Sequence, residues 1–211
     1  MRRVIQILFA IIIIVLGYLI VESIMEPIRF NKEVAVRETA TINKLIEIRT
    51  AQKAYKDMYK TYMGNFDTLQ AFLDTGSFAV VKAIGTIPEE LLEEMGFEKA
   101  REKALKEEII SRETTLVPVL DSLFGSSYNT DSLRLVPYTD GVVFTMEAGE
   151  FLTSSNLTVQ VVEVFVMYDD LLNGMDRQLV INYTDERNKI VGFEGVKFGS
   201  LEEGTLTGNW E

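Results

Sequence analysis

One apolar run, Val4 to Met25, restricts this chain more than any other stretch of it. The run reads VIQILFAIIIIVLGYLIVESIM and follows Met1-Arg2-Arg3. About 20 mostly apolar residues, rising 1.5 Å each, are enough to cross the hydrocarbon core of a bilayer. A cleaved signal peptide has a basic start, an apolar core of about 7–15 residues and a small-residue cleavage site. Here the apolar core continues to Val21 and no A-x-A pattern follows, so an uncleaved anchor is expected. The chain has no cysteine, which excludes a lipoprotein anchor.

Charge orients the span. Arg2 and Arg3 precede it, while Glu22 and Glu26 flank its far side. The positive-inside rule keeps the basic end in the cytoplasm. The expected location is therefore the inner (cytoplasmic) membrane, with the remainder in the periplasm or another extracytoplasmic space. Three cytoplasmic residues cannot hold a kinase, a cyclase or a DNA-binding module. Glu22 is expected at the outer interface, where ionisable groups near helix ends are tolerated.

Composition narrows the chemistry. A chain of 211 residues, 47% hydrophobic and 25% charged, can form one sizeable core. Arg2, Arg3 and Glu22 contribute +1 to the net charge of −11, which leaves −12 on the rest. Such acidity argues against nucleic acid and anionic lipid as partners. With no histidine and no cysteine there is no Ser-His or Cys-His pair, no thiolate chemistry and no ordinary zinc site. No cofactor is expected.

Glu26-Pro27 is expected to end or kink the membrane helix, because proline disfavours helical geometry at the residue before it. A second helix should run from about Asn31 to Met63, since that stretch holds no Gly or Pro. At 100° per residue Leu45, Ile48, Ala51, Tyr55, Met58, Tyr59 and Tyr62 share one face, and Arg49, Lys53, Lys56 and Lys60 line the opposite one. The basic row is either a solvated face or a docking surface, for an acidic partner or for the acidic rest of the chain. Lys60 would lie about 50 Å beyond Met25 if the helix projects outward, far past the Debye length of about 8 Å, so lipid does not fit.

A short helix is expected over 66–75, capped by Asn65 or Asp67, with Gly76 in the left-handed position past its end. Ser77–Gly85 reads as a buried strand, and Pro88 opens PEELLEEMG. An amphipathic helix follows through Phe97, Ala100, Ala104, Leu105 and Ile109, with Glu102–Lys106 and Lys103–Glu107 as supporting pairs. The acids Glu89, Glu90, Glu93, Glu94 and Glu98 lack the loop spacing of a calcium site.

From Thr114 the period changes to that of strands. TTLVPV, with Pro118, reads as an edge strand. SLRLVPYT and VVFTMEAGEF flank Asp140-Gly141 as a hairpin, and Leu157–Tyr168 reads as a central strand. QLVINYT and KIVGFEGVKFGS would flank Asp185-Glu186-Arg187-Asn188 as a second hairpin. The expected class is α+β: a transmembrane anchor (1–25), an amphipathic stalk helix (26–63), and an α+β domain (64–211) with an antiparallel sheet of about five strands.

Membrane span, long amphipathic helix, short helix and antiparallel sheet, in that order, resemble type IV pilins and the pseudopilins of type II secretion. The stretch Ile48-Arg49-Thr50-Ala51-Gln52-Lys53-Ala54-Tyr55 through Tyr59 and Tyr62 carries the likeness, which covers about residues 1–76. That family is cut after a glycine preceding the apolar run, with a glutamate five residues on. Gly17 and Glu22 match those letters but come after most of the run, so cleavage there would remove the membrane segment. Across its whole length the chain also resembles a family of single-pass bacterial envelope proteins, in IRTAQKAYK, VVKAIGTIPE, DSLF, DRQLVINYTDER and GSLEEGTLTGNWE. That resemblance implies a compartment and an anchor, and no activity.

Asp169-Asp170 and Asp185-Glu186 are the adjacent acids that could serve metal binding or acid/base work, and turn residues are the plainer reading of both. Ser126-Ser127 and Ser154-Ser155 have no base at motif spacing, and Gly192, Gly195 and Gly199 form no phosphate loop. Trp210, the one tryptophan, either packs on its own sheet or anchors a partner. The candidate partner-binding residues are thus Arg49, Lys53, Lys56, Lys60 and Trp210; no catalytic or metal-ligating set is identified. The function expected is a non-enzymatic, membrane-anchored interaction or scaffold domain, an accessory subunit of an envelope assembly. Its partners would be other envelope proteins or further copies of the chain. A pseudopilin-like subunit is the alternative, and a carboxylate-dependent envelope hydrolase comes third.

Overall fold

The computed structural model describes residues 2–84, 87–106 and 111–211. The chain is α+β, and its elements run α1 (Arg2–Tyr59), α2 (Phe66–Thr75), β1 (Ser77–Ile84), α3 (Glu89–Lys106), β2 (Ser111–Pro118) and α4 (Val119–Leu123). A 3-10 turn over Thr130–Arg134 leads to β3 (Thr145–Leu152), β4 (Thr158–Met167), α5 (Tyr168–Leu171), α6 (Arg177–Val191) and β5 (Gly195–Gly199). All five strands pair antiparallel, as expected, but in two sheets, β1-β2 and β3-β4-β5. Two compact units result, residues 1–69 with 131–211, and residues 70–130.

The anchor and the stalk are one helix. Pro27 lies inside α1, so the expected break at Glu26-Pro27 and restart near Asn31 do not occur. Proline removes the N–H that would bond the carbonyl of Ser23, a cost of about 3 kcal/mol in a helix interior. Two features offset it. An Arg29–Glu22 ion pair brackets the proline on the helix surface, and Phe30 and Val34 are buried within two turns after it. Most of the apolar stretch Ile5–Ile24 is exposed, Ile14 at 71%, and its most apolar 18 residues reach a mean hydropathy of 2.8. α1 is thus long and apolar enough to cross a membrane.

Farther along, one face of α1 is the core of its unit. Leu45, Ile48 and Ala51 are wholly buried and Tyr55 nearly so, whereas Met58 and Tyr59, expected on the same face, are 38% and 53% exposed. The helix also ends earlier than the expected Met63. Lys60 takes a left-handed φ of 65° and its N–H bonds the Lys56 carbonyl at 2.8 Å, an αL termination without glycine. Buried Gln52 closes the loop that follows, donating to the Met63 carbonyl (2.5 Å) and accepting the Met63 N–H (3.0 Å).

β4 is the central strand of the larger sheet, with Val161, Val162, Val164 and Val166 all buried. β5 packs against α1. The Asp140-Gly141 turn forms, with Gly141 at φ 80° and Val136 N–H on the Val142 carbonyl. Its expected first strand, SLRLVPYT, does not: it is a 3-10 turn followed by an isolated bridge, Leu135 to Val143.

The second expected hairpin is also wrong. QLVINYTDERNKIV is the helix α6, with Asp185 to Asn188 in its middle. The Asp176 side chain caps it by accepting the Leu179 N–H at 2.9 Å, and Gly192 closes it at φ 68°. Val180, Tyr183, Thr184 and Arg187, spaced three and four apart, form its inward side.

In the smaller unit, β1 pairs with β2 from Ser77↔Pro118 to Ile84↔Ser111. Phe72, Leu73, Ala100, Ala104 and Val119 are buried there. β1 is not the expected buried strand, since Ala79 is exposed and Val80 is 46% exposed. α2 has the expected limits, and Asn65 caps it by accepting the Asp67 N–H at 2.7 Å. Gly76, however, is not left-handed. Glycine is needed there because a Cβ would meet the Phe72 carbonyl oxygen and the Val119 side chain. Gly96, at φ 76°, kinks α3. Gly85, Glu107, Ile109 and the Glu94 side chain, named in the expectations above, lie outside the described residues.

Candidate functional site

The five candidate partner-binding residues do not form one free surface. Arg49, at 18% side-chain exposure, donates to the Leu206 carbonyl (3.1 Å) and to Glu211 Oε1 (2.5 Å). Its guanidinium carbon lies 5.8 Å from the centre of the Trp210 ring. The hydrogen bond from Arg49 holds the Glu211 carboxyl below its ordinary range. The 205–211 segment is carried to that point along β5: Gly208 bridges Phe198, and the Asn209 side chain accepts the Lys197 N–H while donating to the Gly195 carbonyl. Arg49 and Trp210 therefore meet each other.

The lysines diverge. Lys53 is exposed. Lys56 sits 4.3 Å over the Tyr62 ring and donates to its hydroxyl at 3.2 Å. Lys60, at the helix terminus, donates to the Asp57 carbonyl.

Three of the four adjacent acids singled out above come together, and Glu186 stays apart from them. Asp169, Asp170 and Asp185 line one cavity of about 450 Å³ with Met167, Arg177, Ile181, Thr184 and Glu194. Arg177 pairs with Asp169, and the Thr184 hydroxyl is buried without a hydrogen-bond partner. Among the described residues no group of three or more His, Cys, Asp or Glu is placed to hold a metal ion. A hairpin of QLVINYT and KIVGFEGVKFGS gives no reason to place Arg177 and Glu194 beside these acids; the helix α6 does.

A buried polar network lies beside that cavity, between α1, α5 and α6. The wholly buried Tyr168 donates to Glu38 Oε1 at 2.5 Å and accepts from Arg187 Nε at 3.1 Å, and Arg187 also approaches Glu38 at 3.8 Å. Burial first, then the Glu38 carboxylate, push the Tyr168 hydroxyl far above the usual phenol range. Burial and Glu38 likewise push Tyr183 up to about 12. Partial burial opposes the charge on Arg187; Tyr168 and Glu38 outweigh it, so the guanidinium is raised above its ordinary value. The Tyr183 ring stands edge-on to Tyr168 and to Phe30. The network therefore joins α1 to the helices that wall the cavity. Its sequence signal is slight: an acid on the stalk and an arginine on an unsuspected helix.

No family model, no curated protein and no solved structure matches the chain.

What the arrangement can do follows from these contacts. Asp176 is a helix cap and Asp169 an ion-pair partner, which are structural duties. Ser154 and Ser155 lie in the β3–β4 turn, and Gly192 and Gly199 serve left-handed backbone positions. The most developed feature of the larger unit is α1 itself, apolar and exposed in one half and packed into a folded unit in the other.

Proposed function

We infer that the protein is a membrane-anchored interaction domain, non-enzymatic, serving as an accessory subunit of an envelope assembly, with its folded part on the extracytoplasmic side. One observation carries this reading. α1 runs without interruption from a bilayer-length apolar stretch into the core of a folded unit. A helix of that kind fixes the height and tilt of what it carries, which suits a part that must present a surface at a set distance from the bilayer. Arg2 and Arg3 on one side of the span support the orientation.

The test is alkaline extraction of membranes followed by protease treatment of intact spheroplasts. The chain should remain in the pellet and be digested from outside. Recovery in the alkaline supernatant, or full protection from protease, would refute the anchor or the orientation respectively.

The continuity of α1 across Pro27 also favours a second reading, a pseudopilin-like assembly subunit. That reading requires a processed amino terminus, so terminal sequencing that finds Met1-Arg2-Arg3 intact removes it.

A further inference from the structure

We propose that the base of the larger unit, the 173–178 turn and the groove it forms against α1, is seated in the headgroup layer of the bilayer and takes up a zwitterionic phospholipid headgroup there. The proposal rests on the anchored reading above and adds a second contact with the same membrane.

Height along α1 carries it. A bilayer about 40–45 Å thick with a hydrocarbon core of about 30 Å leaves about 5–7 Å of headgroups on each side. Met25 closes the apolar run. At about 1.5 Å per residue, Glu26 and Arg29 stand about 2 and 6 Å beyond it, within that layer. α1 is one helix through Pro27, so the backbone itself fixes this height.

α6 meets α1 at the same level, with its first turn lowest. Leu179 shares a groove with Glu26 and Arg29. The Tyr183 ring lies 6.1 Å from that of Phe30, and Arg187 lies 3.8 Å from Glu38. Rising numbers on α6 therefore match rising numbers on α1, and the turn that precedes α6 faces the lipid. Arg37 holds this turn to α1 by donating to the Leu171 and Asn173 carbonyls at 3.1 and 3.4 Å. Asn173, Gly174, Asp176, Arg177 and Gln178 are exposed along it.

The groove, of about 360 Å³, has Glu26, Arg29 and Glu33 on one wall and Met175, Asp176 and Leu179 on the other. Half-buried Met175 and Leu179 offer apolar surface to the glycerol and the first methylenes. Arg29 is 56% exposed although paired with Glu22, and a guanidinium has five donors, so it keeps donors for a phosphate. Glu26 is exposed and has no ion-pair partner among the described residues, which leaves its carboxylate for an ammonium. Glu22, Glu26, Glu33 and Asp176 outnumber Arg29 and Arg177 here. That balance repels a headgroup of net negative charge and accepts one that carries both signs.

The native chain lacks cysteine, so single cysteines take a fluorescent label without background. The full chain is reconstituted in phosphatidylethanolamine–phosphatidylcholine vesicles that contain a lipid with a nitroxide on its headgroup. Labels at Asn173→Cys and Gln178→Cys should lose emission, while one at Lys189→Cys, about 16 Å farther along α6 than position 178, should keep it. Seven helical residues inserted between Met25 and Glu26 lift the unit about 10 Å and turn it only about 20°; they should abolish the loss at 173 and 178. Vesicles of phosphatidylglycerol should reduce that loss, and a greater loss there overturns the choice of headgroup. A label at Gly17→Cys, where a Cβ meets nothing within 4 Å, should be quenched by a nitroxide on the acyl chain. Equal emission at 173, 178 and 189 with position 17 quenched overturns the seat and leaves the anchor standing. An unquenched label at position 17 overturns both.

Discussion

The two halves of α1 have the same backbone and opposite surroundings. From Ile5 to Ile24 nearly every side is exposed and nearly every side chain is apolar; from Phe30 to Tyr55 one side is buried and charges crowd the rest. The first pattern is favourable only where the surroundings are themselves apolar, because it leaves large aliphatic surface uncovered. The second is the amphipathic pattern of a helix that covers a core in water. Continuity across Pro27 means that the two environments meet within about two turns, where Glu22 pairs with Arg29. Helical pattern alone therefore does not say where a helix stops. What changes near Pro27 is the side-chain pattern, not the secondary structure.

The largest expected effect separates the halves by stability. Ile48→Ala, at a wholly buried site, should destabilise the folded unit by about 2–5 kcal/mol, whereas Ile14→Ala should leave its denaturation midpoint unchanged. The reverse contrast uses charge: Ile13→Arg should weaken insertion by about 2.5–3.5 kcal/mol on translocon scales, read as the membrane-integrated fraction, with the folded unit intact. Equal responses from the two halves would break the comparison.

Next comes the tie between α1 and α6. Tyr168→Phe removes the donor to Glu38 and should cost about 1–3 kcal/mol. Tyr168 and Tyr183 have raised values in the folded state, so their contribution is complete below the ordinary phenol value of 10.0 and declines as pH rises beyond it. The native chain should lose stability at alkaline pH, and Tyr168→Phe should lose less over the same interval. Asp176→Ala, which removes the α6 cap, should cost about 1 kcal/mol.

The smallest effect concerns the 205–211 segment. Glu211 has a lowered carboxyl value, so its link to Arg49 is complete above the ordinary value of 4.5 and is lost as pH falls below it. The fluorescence of Trp210, the one tryptophan, should shift on acidification, and Arg49→Gln should show the shifted spectrum already at neutral pH.

Features set by neighbours in sequence were legible there. The apolar run, α2 with its Asn65 cap, the central strand β4 and the Asp140-Gly141 turn all depend on periodicity or on contacts a few residues apart. α6 is hidden in local pattern because Val180-Ile181 and Tyr183-Thr184 have strand-like side chains; its deciding signals are the cap Asp176 and the closing Gly192, 16 positions later. Division of the strands into two sheets depends on pairings distant in sequence, which local pattern does not encode. The candidate sites follow the same rule. Asp169, Asp170 and Asp185 were identifiable by residue type, but their shared cavity depends on α6. Arg49 and Trp210 were each singled out, while the salt bridge beside them joins positions 162 apart.

Amide hydrogen exchange on the full chain in lipid nanodiscs tests the single-helix claim most directly. Protection should extend without a gap from the apolar half into residues 28–55, interrupted only by the missing proline amide. Fast exchange throughout residues 26–31 would contradict it and make anchor and stalk separate helices.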